Sequence, residues 1–202
     1  MIANRSVSVY TPSNTDPETR ERIFVQRHKM LRRVVRWCEE SMLTGNKHHL
    51  LFIGPRGCGK THLVAMAHDR LRGNPKLDDR MRVAWLGEDT VFTGLIDLAL
   101  EIADELSREY PEEFSADYRD MASSLSPDDA AEVILGEIVS RLGDRSILLI
   151  MENLNRAFRG LGDLGQKKWR AFLQENGRVA TLATSQQLFE DVSSRDAAFY
   201  GF

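Results

Sequence analysis

The chain reads as a three-layer α/β domain built on a mainly parallel sheet of five strands, and three observations lead there. Short apolar runs suited to buried strands alternate with long stretches, free of Pro and Gly, that suit helices. One of the runs, Ser146 to Asn155 (SILLIMENLN), is apolar without alternation, as a central parallel strand covered on both faces requires. The third observation is a glycine-rich turn, Gly54 to Leu63 (GPRGCGKTHL), set between a strand and a helix.

In chain order, Met1 to Glu18 is rich in Ser, Thr, Asn and Pro and reads as an extended arm, 1–18, ahead of a domain spanning 19–202. Glu21 to Leu43 has no Pro or Gly and carries Ile23, Phe24, Met30, Leu31, Val34, Val35 and Trp37 at roughly helical spacing, so at least one amphipathic helix lies there. Gly45-Asn46-Lys47 ends it. His48 and His49 point to opposite faces of the strand that follows, so a shared metal is not expected. His49 to Ile53 is the first strand and Thr61 to Arg72 the helix after the glycine-rich turn. Gly73-Asn74-Pro75 breaks the chain before a second strand, Arg82 to Leu86, and a helix from Thr90 to Arg108. The acidic stretch Glu109 to Asp120 reads as an insertion or surface helix broken at Pro111, its charges a solvated face. Ser126 caps a further helix, with Pro127 in its first turn and Asp128 and Asp129 near its positive end. After the central strand, Arg178 to Ala183 is another strand, closed by Thr184, Ser185 and Gln186.

Composition narrows the function classes. With 202 residues and a net charge of -3, both signs interspersed, the chain lacks the global basic footprint of a dedicated nucleic-acid binder, although a local patch stays open. Cys38 and Cys58 form neither a metal spacing nor a disulfide framework, which suits a reducing cytoplasm. No signal peptide, membrane-length apolar run, internal repeat or low-complexity tract is present, so no membrane partner is expected.

The glycine-rich turn carries the chemistry. A loop that wraps phosphates aims successive N–H groups inward, and Gly54, Gly57 and Gly59 allow the required conformations cheaply. Lys60 supplies a point charge for β- and γ-phosphates, and Thr61 a hydroxyl for Mg²⁺ at the positive end of a helix. Pro55, Arg56, Cys58 and the following His62 complete the nucleotide-binding segment; Cys58 is a small filler there. The ligand this predicts is ATP or ADP, with Mg²⁺. The alternative is a glycine-rich turn that merely precedes Lys-Thr.

Such a loop needs a carboxylate from a neighbouring strand, and Ser146 to Asn155 ends in Glu152 and Asn153. We place Glu152 on the metal with Thr61, which leaves Asn153 in the slot of the acid that polarises the attacking water. An amide orients water but accepts no proton, so turnover should be slow, and a carboxylate at 153 should raise it. The other register puts Met151 in the metal slot and Glu152 as the base; a thioether is a poor ligand for a hard ion.

The chain resembles the AAA+ and STAND-like P-loop ATPases, in particular a bacterial group similar to the origin-recognition initiators. The resemblance rests on FVQR (Phe24 to Arg27), GPRGCGKTHL, MENLNR, RVATLATSQQLF and SSRDAAFYGF, in that order along most of the chain. It implies the strand order 5-1-4-3-2, with the fifth strand in the aromatic run Phe199 to Phe202. It also implies that Val25 packs on the adenine face, that Arg27 anchors that segment or approaches the nucleotide, and that Thr184 or Ser185 orients the lytic water. Arg195 is the implied arginine finger, acting on a neighbouring subunit's phosphate, so a homo-oligomer or a partner protein on the Arg195 side is expected. A family member carries a helical lid after the core; the chain stops inside the last strand, so the lid is expected to be absent or truncated and the domain incomplete. The implied activity is weak, Mg²⁺-dependent ATP hydrolysis coupled to switching or assembly. A non-hydrolysing ATP-gated scaffold and an initiator-type DNA-binding or loader ATPase are the competing classes.

Overall fold

Alternating burial on the strands builds the layers. Leu148, Ile150, Ala180 and Leu182 belong to one core, while Ile147, Leu149, Met151, Val179 and Ala183 belong to another, as the two-residue period of a strand requires. The computed structural model describes residues 16–24, 26–195 and 197–199. Its elements run α1 (Pro17–Ile23), α2 (His28–Leu43), β1 (His49–Ile53), α3 (Lys60–Arg72), β2 (Met81–Leu86), α4 (Leu95–Glu109), α5 (Pro111–Phe114), α6 (Tyr118–Ala122), α7 (Pro127–Arg141), β3 (Ser146–Met151), α8 (Leu154–Glu175), β4 (Val179–Ser185) and α9 (Glu190–Ser193). Leu31, Val34 and Met42 of α2 and Leu63, Val64 and Leu71 of α3 cover one face of the sheet. Residues of α4, α7 and α8, among them Leu98, Ile134, Phe158 and Trp169, cover the other.

All strand pairs are parallel, in the order β1-β4-β3-β2. Among the described residues the sheet therefore has four strands and not the expected five. Phe199 is buried in a turn, and the remainder of the run assigned to the fifth strand, residues 200–202, lies outside the described residues.

Several boundaries differ from the sequence expectation. Helix begins inside the expected arm, because the Asp16 carboxylate accepts the Thr19 N–H at 3.0 Å and Pro17 fills the first helical position. The Glu21 to Leu43 stretch is two helices, α1 ending at Ile23 and α2 starting at His28, with Arg27 in a left-handed backbone of φ 67°. The helix expected from Thr90 starts only at Leu95, and the central strand ends at Met151, so Glu152 lies beyond its tip and Asn153 caps α8. The acidic stretch is not simply a solvated face. Phe114 and Tyr118 are buried, and Glu113 grips buried Arg82 with two hydrogen bonds, 2.8 Å to Nε and 2.6 Å to Nη2. Only long-range packing creates that clamp.

Candidate functional site

Four strand ends and the loop after β1 meet at the carboxyl edge of the sheet. The Gly54 N–H donates to the Ser185 carbonyl (3.2 Å) and the Glu152 N–H to the Leu86 carbonyl (3.0 Å), so pairing continues one residue past β1 and β3 and holds both tips at the same level. That edge carries every described residue singled out from sequence except Arg195.

The loop is held by its own atoms. Gly57 and Gly59 have φ of 79° and 83°, and Gly59 caps α3 in the left-handed conformation that a side chain would strain. No side chain caps α3 and its first turn holds no acidic residue, so the N–H groups of its first turn stay available to an anion. The Lys60 ammonium donates to the carbonyls of Gly54 (2.6 Å) and Pro55 (3.0 Å), with Cys58 Sγ at 3.8 Å, which sets it inside the curve of the loop. Pro55 and Arg56 are exposed.

Beside the loop, a side chain at Gly59 would come within 3.9 Å of the Arg27 guanidinium, so the left-handed break before α2 brings Arg27 over the glycine-rich loop. His62 donates from Nε2 to the Arg20 carbonyl (3.0 Å) and packs on the buried Phe24 ring at 5.3 Å, which ties α1 to α3. Val25 lies outside the described residues.

The strand tips supply the acids. Glu152 accepts from Thr61 Oγ1 at 3.4 Å and from Trp85 Nε1 at 3.1 Å, and Trp85 is held edge-on by His68 of α3 at 5.2 Å. Burial pushes the Glu152 carboxyl above the ordinary carboxylate range, opposed by the Trp85 hydrogen bond and reinforced by the charge of Glu88. A hydroxyl and a half-buried carboxylate, both hard oxygen donors, fit Mg²⁺, which keeps several waters and takes one or two protein ligands. Asn153, with φ 53°, is buried; its N–H donates to Thr184 Oγ1 (3.2 Å) and its Nδ2 to Glu88 Oε2 (3.3 Å).

Thr184 and Ser185 are both buried. The Thr184 hydroxyl holds the Asn153 backbone, and the Ser185 hydroxyl donates to the Gln187 carbonyl at 2.6 Å. Exposed Gln186 reaches Asn153 Oδ1 at 3.5 Å instead. Arg195 is exposed in the turn after α9, making no hydrogen bond or ion pair among the described residues. Sequence reasoning missed Glu88. It stands two residues beyond β2, after Gly87, whereas Glu152 follows β3 directly, and its position just past an apolar strand was the available signal.

Solved structures share this fold. ORC2 of Aeropyrum pernix, in ADPNP–ADP complexes, matches with a TM-score of 0.59 and 15% identity, covering 81% of this chain and 42% of that one. CDC6P from Pyrobaculum aerophilum matches at 0.53 with 14% identity, over 86% and 43%. ORC1 of Aeropyrum pernix in complex with DNA matches at 0.52 with 16% identity, over 81% and 40%. The chain thus spans about two fifths of the length of those structures, and the likeness carries the fold. No protein-family model and no curated protein sequence matches the chain.

Proposed function

We propose that the chain binds ATP with Mg²⁺ at the carboxyl edge of its sheet and hydrolyses it slowly, as a nucleotide-dependent switch or assembly module of the AAA+ type. The observation that carries this is the meeting of Thr61 Oγ1 and Glu152 Oε2 at 3.4 Å, 91 residues apart in sequence, beside the loop that holds Lys60. Bound Mg²⁺ would neutralise charge on the β- and γ-phosphate oxygens. Lys60 and the first-turn N–H groups of α3 bind the phosphates, Arg27 faces them from above Gly59, and Thr61 and Glu152 hold the metal. Neighbours solved with ADP or ADPNP support the nucleotide. Isothermal calorimetry with ATP and Mg²⁺ tests the proposal: wild type should bind and Lys60→Ala should not. Equal affinities would sink it.

Assembly is the second half of the proposal. Exposed Arg195 stands ready for a neighbouring copy's phosphate, so Arg195→Ala should spare ATP binding and slow turnover of the assembled protein. Mixing it with Lys60→Ala subunits should restore part of the rate; an unchanged rate removes the finger. Asn153 favours the scaffold alternative, in which ATP binds and is not turned over, and phosphate release from assembled protein separates the two. DNA binding has one local support, the exposed Lys29, Arg32, Arg33 and Arg36 on α2, alongside the DNA-bound ORC1 neighbour. Filter binding across a salt series decides it, since phosphate contacts give an affinity that falls steeply with salt. Among the described residues no helix is long and apolar enough to cross a membrane. Buried Cys38, its thiol pushed up to about 12 by burial, and unpaired Cys58 suit the reducing cytoplasm.

A further inference from the structure

We infer that Glu88 is the carboxylate that takes the proton of the attacking water, standing in for the acid missing at Asn153. This rests on the ATPase reading above. Asn153 occupies the position beside the metal pair but has no basic atom. Its Nδ2 donates to Glu88 Oε2 at 3.3 Å, so a carboxylate lies one hydrogen bond beyond the amide, past the tip of the adjoining strand.

That carboxylate is positioned rather than merely near. Arg156 in the first turn of α8 donates to the Glu88 backbone carbonyl at 3.1 Å, and the Arg156 N–H is itself bonded to the Asn153 carbonyl at 2.8 Å. Gly160 secures the same loop from below, because a Cβ there would fall 1.9 Å from the Phe92 carbonyl oxygen; the backbone of residues 87–94 can approach α8 only over a glycine. The other Glu88 oxygen faces the phosphate loop, with the Arg56 guanidinium at 3.9 Å. The competing groups are committed elsewhere. Glu152 faces Thr61 and Trp85 and is assigned to the metal, the Thr184 hydroxyl accepts from the Asn153 N–H, and the Ser185 hydroxyl donates to the Gln187 carbonyl.

In the step this assigns, the water oxygen bonds to the γ-phosphorus as the bond to the β–γ bridging oxygen breaks. ADP leaves with that electron pair. The water proton passes to Glu88 and from there to solvent, which reaches this side chain at 42% exposure. The amide of Asn153 orients the water and the carboxylate together. The simpler account, an exposed Arg56–Glu88 ion pair, would contribute little and leave turnover alone.

The test measures ATP binding and phosphate release by the full 202-residue chain and its variants. Glu88→Gln keeps size and hydrogen bonding, so ATP affinity should stay within about threefold while phosphate release falls about 10²-fold or more. Glu88→Asn with Asn153→Glu, which exchanges the two groups across their contact, should recover turnover lost in Glu88→Asn alone. An unchanged rate in Glu88→Gln, parallel loss of ATP binding, or binding without any wild-type release overturns the proposal and leaves nucleotide binding standing. Equally, a rate gain in Asn153→Asp with Glu88→Gln unaffected overturns it. Failure of the wild type to bind ATP removes both.

Discussion

The two sides of the candidate site are built in different ways. On the loop side, Lys60 finds its partners five and six residues away, in Pro55 and Gly54, and the shape comes from left-handed glycines. On the strand-tip side, Thr61 meets Glu152 across 91 residues, Asn153 meets Glu88 across 65, and Asn153 meets Thr184 across 31. A local device tolerates distant change and fails when its own residues change. A device assembled by strand register and loop packing fails when either is disturbed, even far from the chemistry.

The sharpest way to break the contrast is Lys60→Ala. It should weaken ATP binding about 10²-fold or more, by calorimetry, with a small change in melting temperature, because the bonds lost within the fold go only to the nearby loop carbonyls of Gly54 and Pro55. A large loss of stability would make the loop as dependent on tertiary context as the strand tips.

Next in size is Gly160→Ala. The new methyl must displace the Phe92 backbone, at a cost of about 1–3 kcal/mol of stability read by thermal or denaturant melts. Turnover should fall more than ATP affinity, since the displaced loop carries Glu88. An unchanged melt would show that residues 87–94 do not rest on α8.

Smaller again is Trp85→Phe, which keeps the ring against His68 and removes the Nε1 donor to Glu152. The loss of one hydrogen bond to a carboxylate, about 1.5–3 kcal/mol at most, should weaken the Mg²⁺ dependence of ATP binding and leave metal-free binding as it was. An equal loss with and without Mg²⁺ would take Glu152 off the metal.

The smallest effect concerns pH. His49 bonds Thr181 Oγ1 through Nδ1 at 3.0 Å beside an apolar cavity of about 280 Å³ lined by Leu51, Phe158 and Trp169. Burial, aided by the charge of His48, lowers its pKa from 6.5 to about 4. The unfolded chain then binds more protons between those values, so this contribution to stability is present above pH 6.5 and is lost as pH falls toward 4. Urea melts of His49→Gln should show a flatter pH dependence over that window than wild type; parallel curves would remove His49 as the cause.

Sequence by itself determined the glycine-rich turn between β1 and α3, because a glycine turn, a lysine and a helix start are neighbours in the chain and their geometry is short-range. It located the four described strands as well, since each carries a short apolar run between turn signals and β3 is apolar throughout. It did not reveal Glu88 in the site. That residue follows β2 in a loop of ordinary polar composition, and only the parallel pairing of Leu86 with Met151 sets it beside Asn153. Nor did it show that the Thr184 hydroxyl is spent on the Asn153 backbone, or that Glu113, in a stretch dense with acid, clamps Arg82 inside the fold. Side-chain type and spacing are local, whereas the partner of a polar group across a sheet edge is chosen by strand register and helix docking, and those are properties of the whole packed chain.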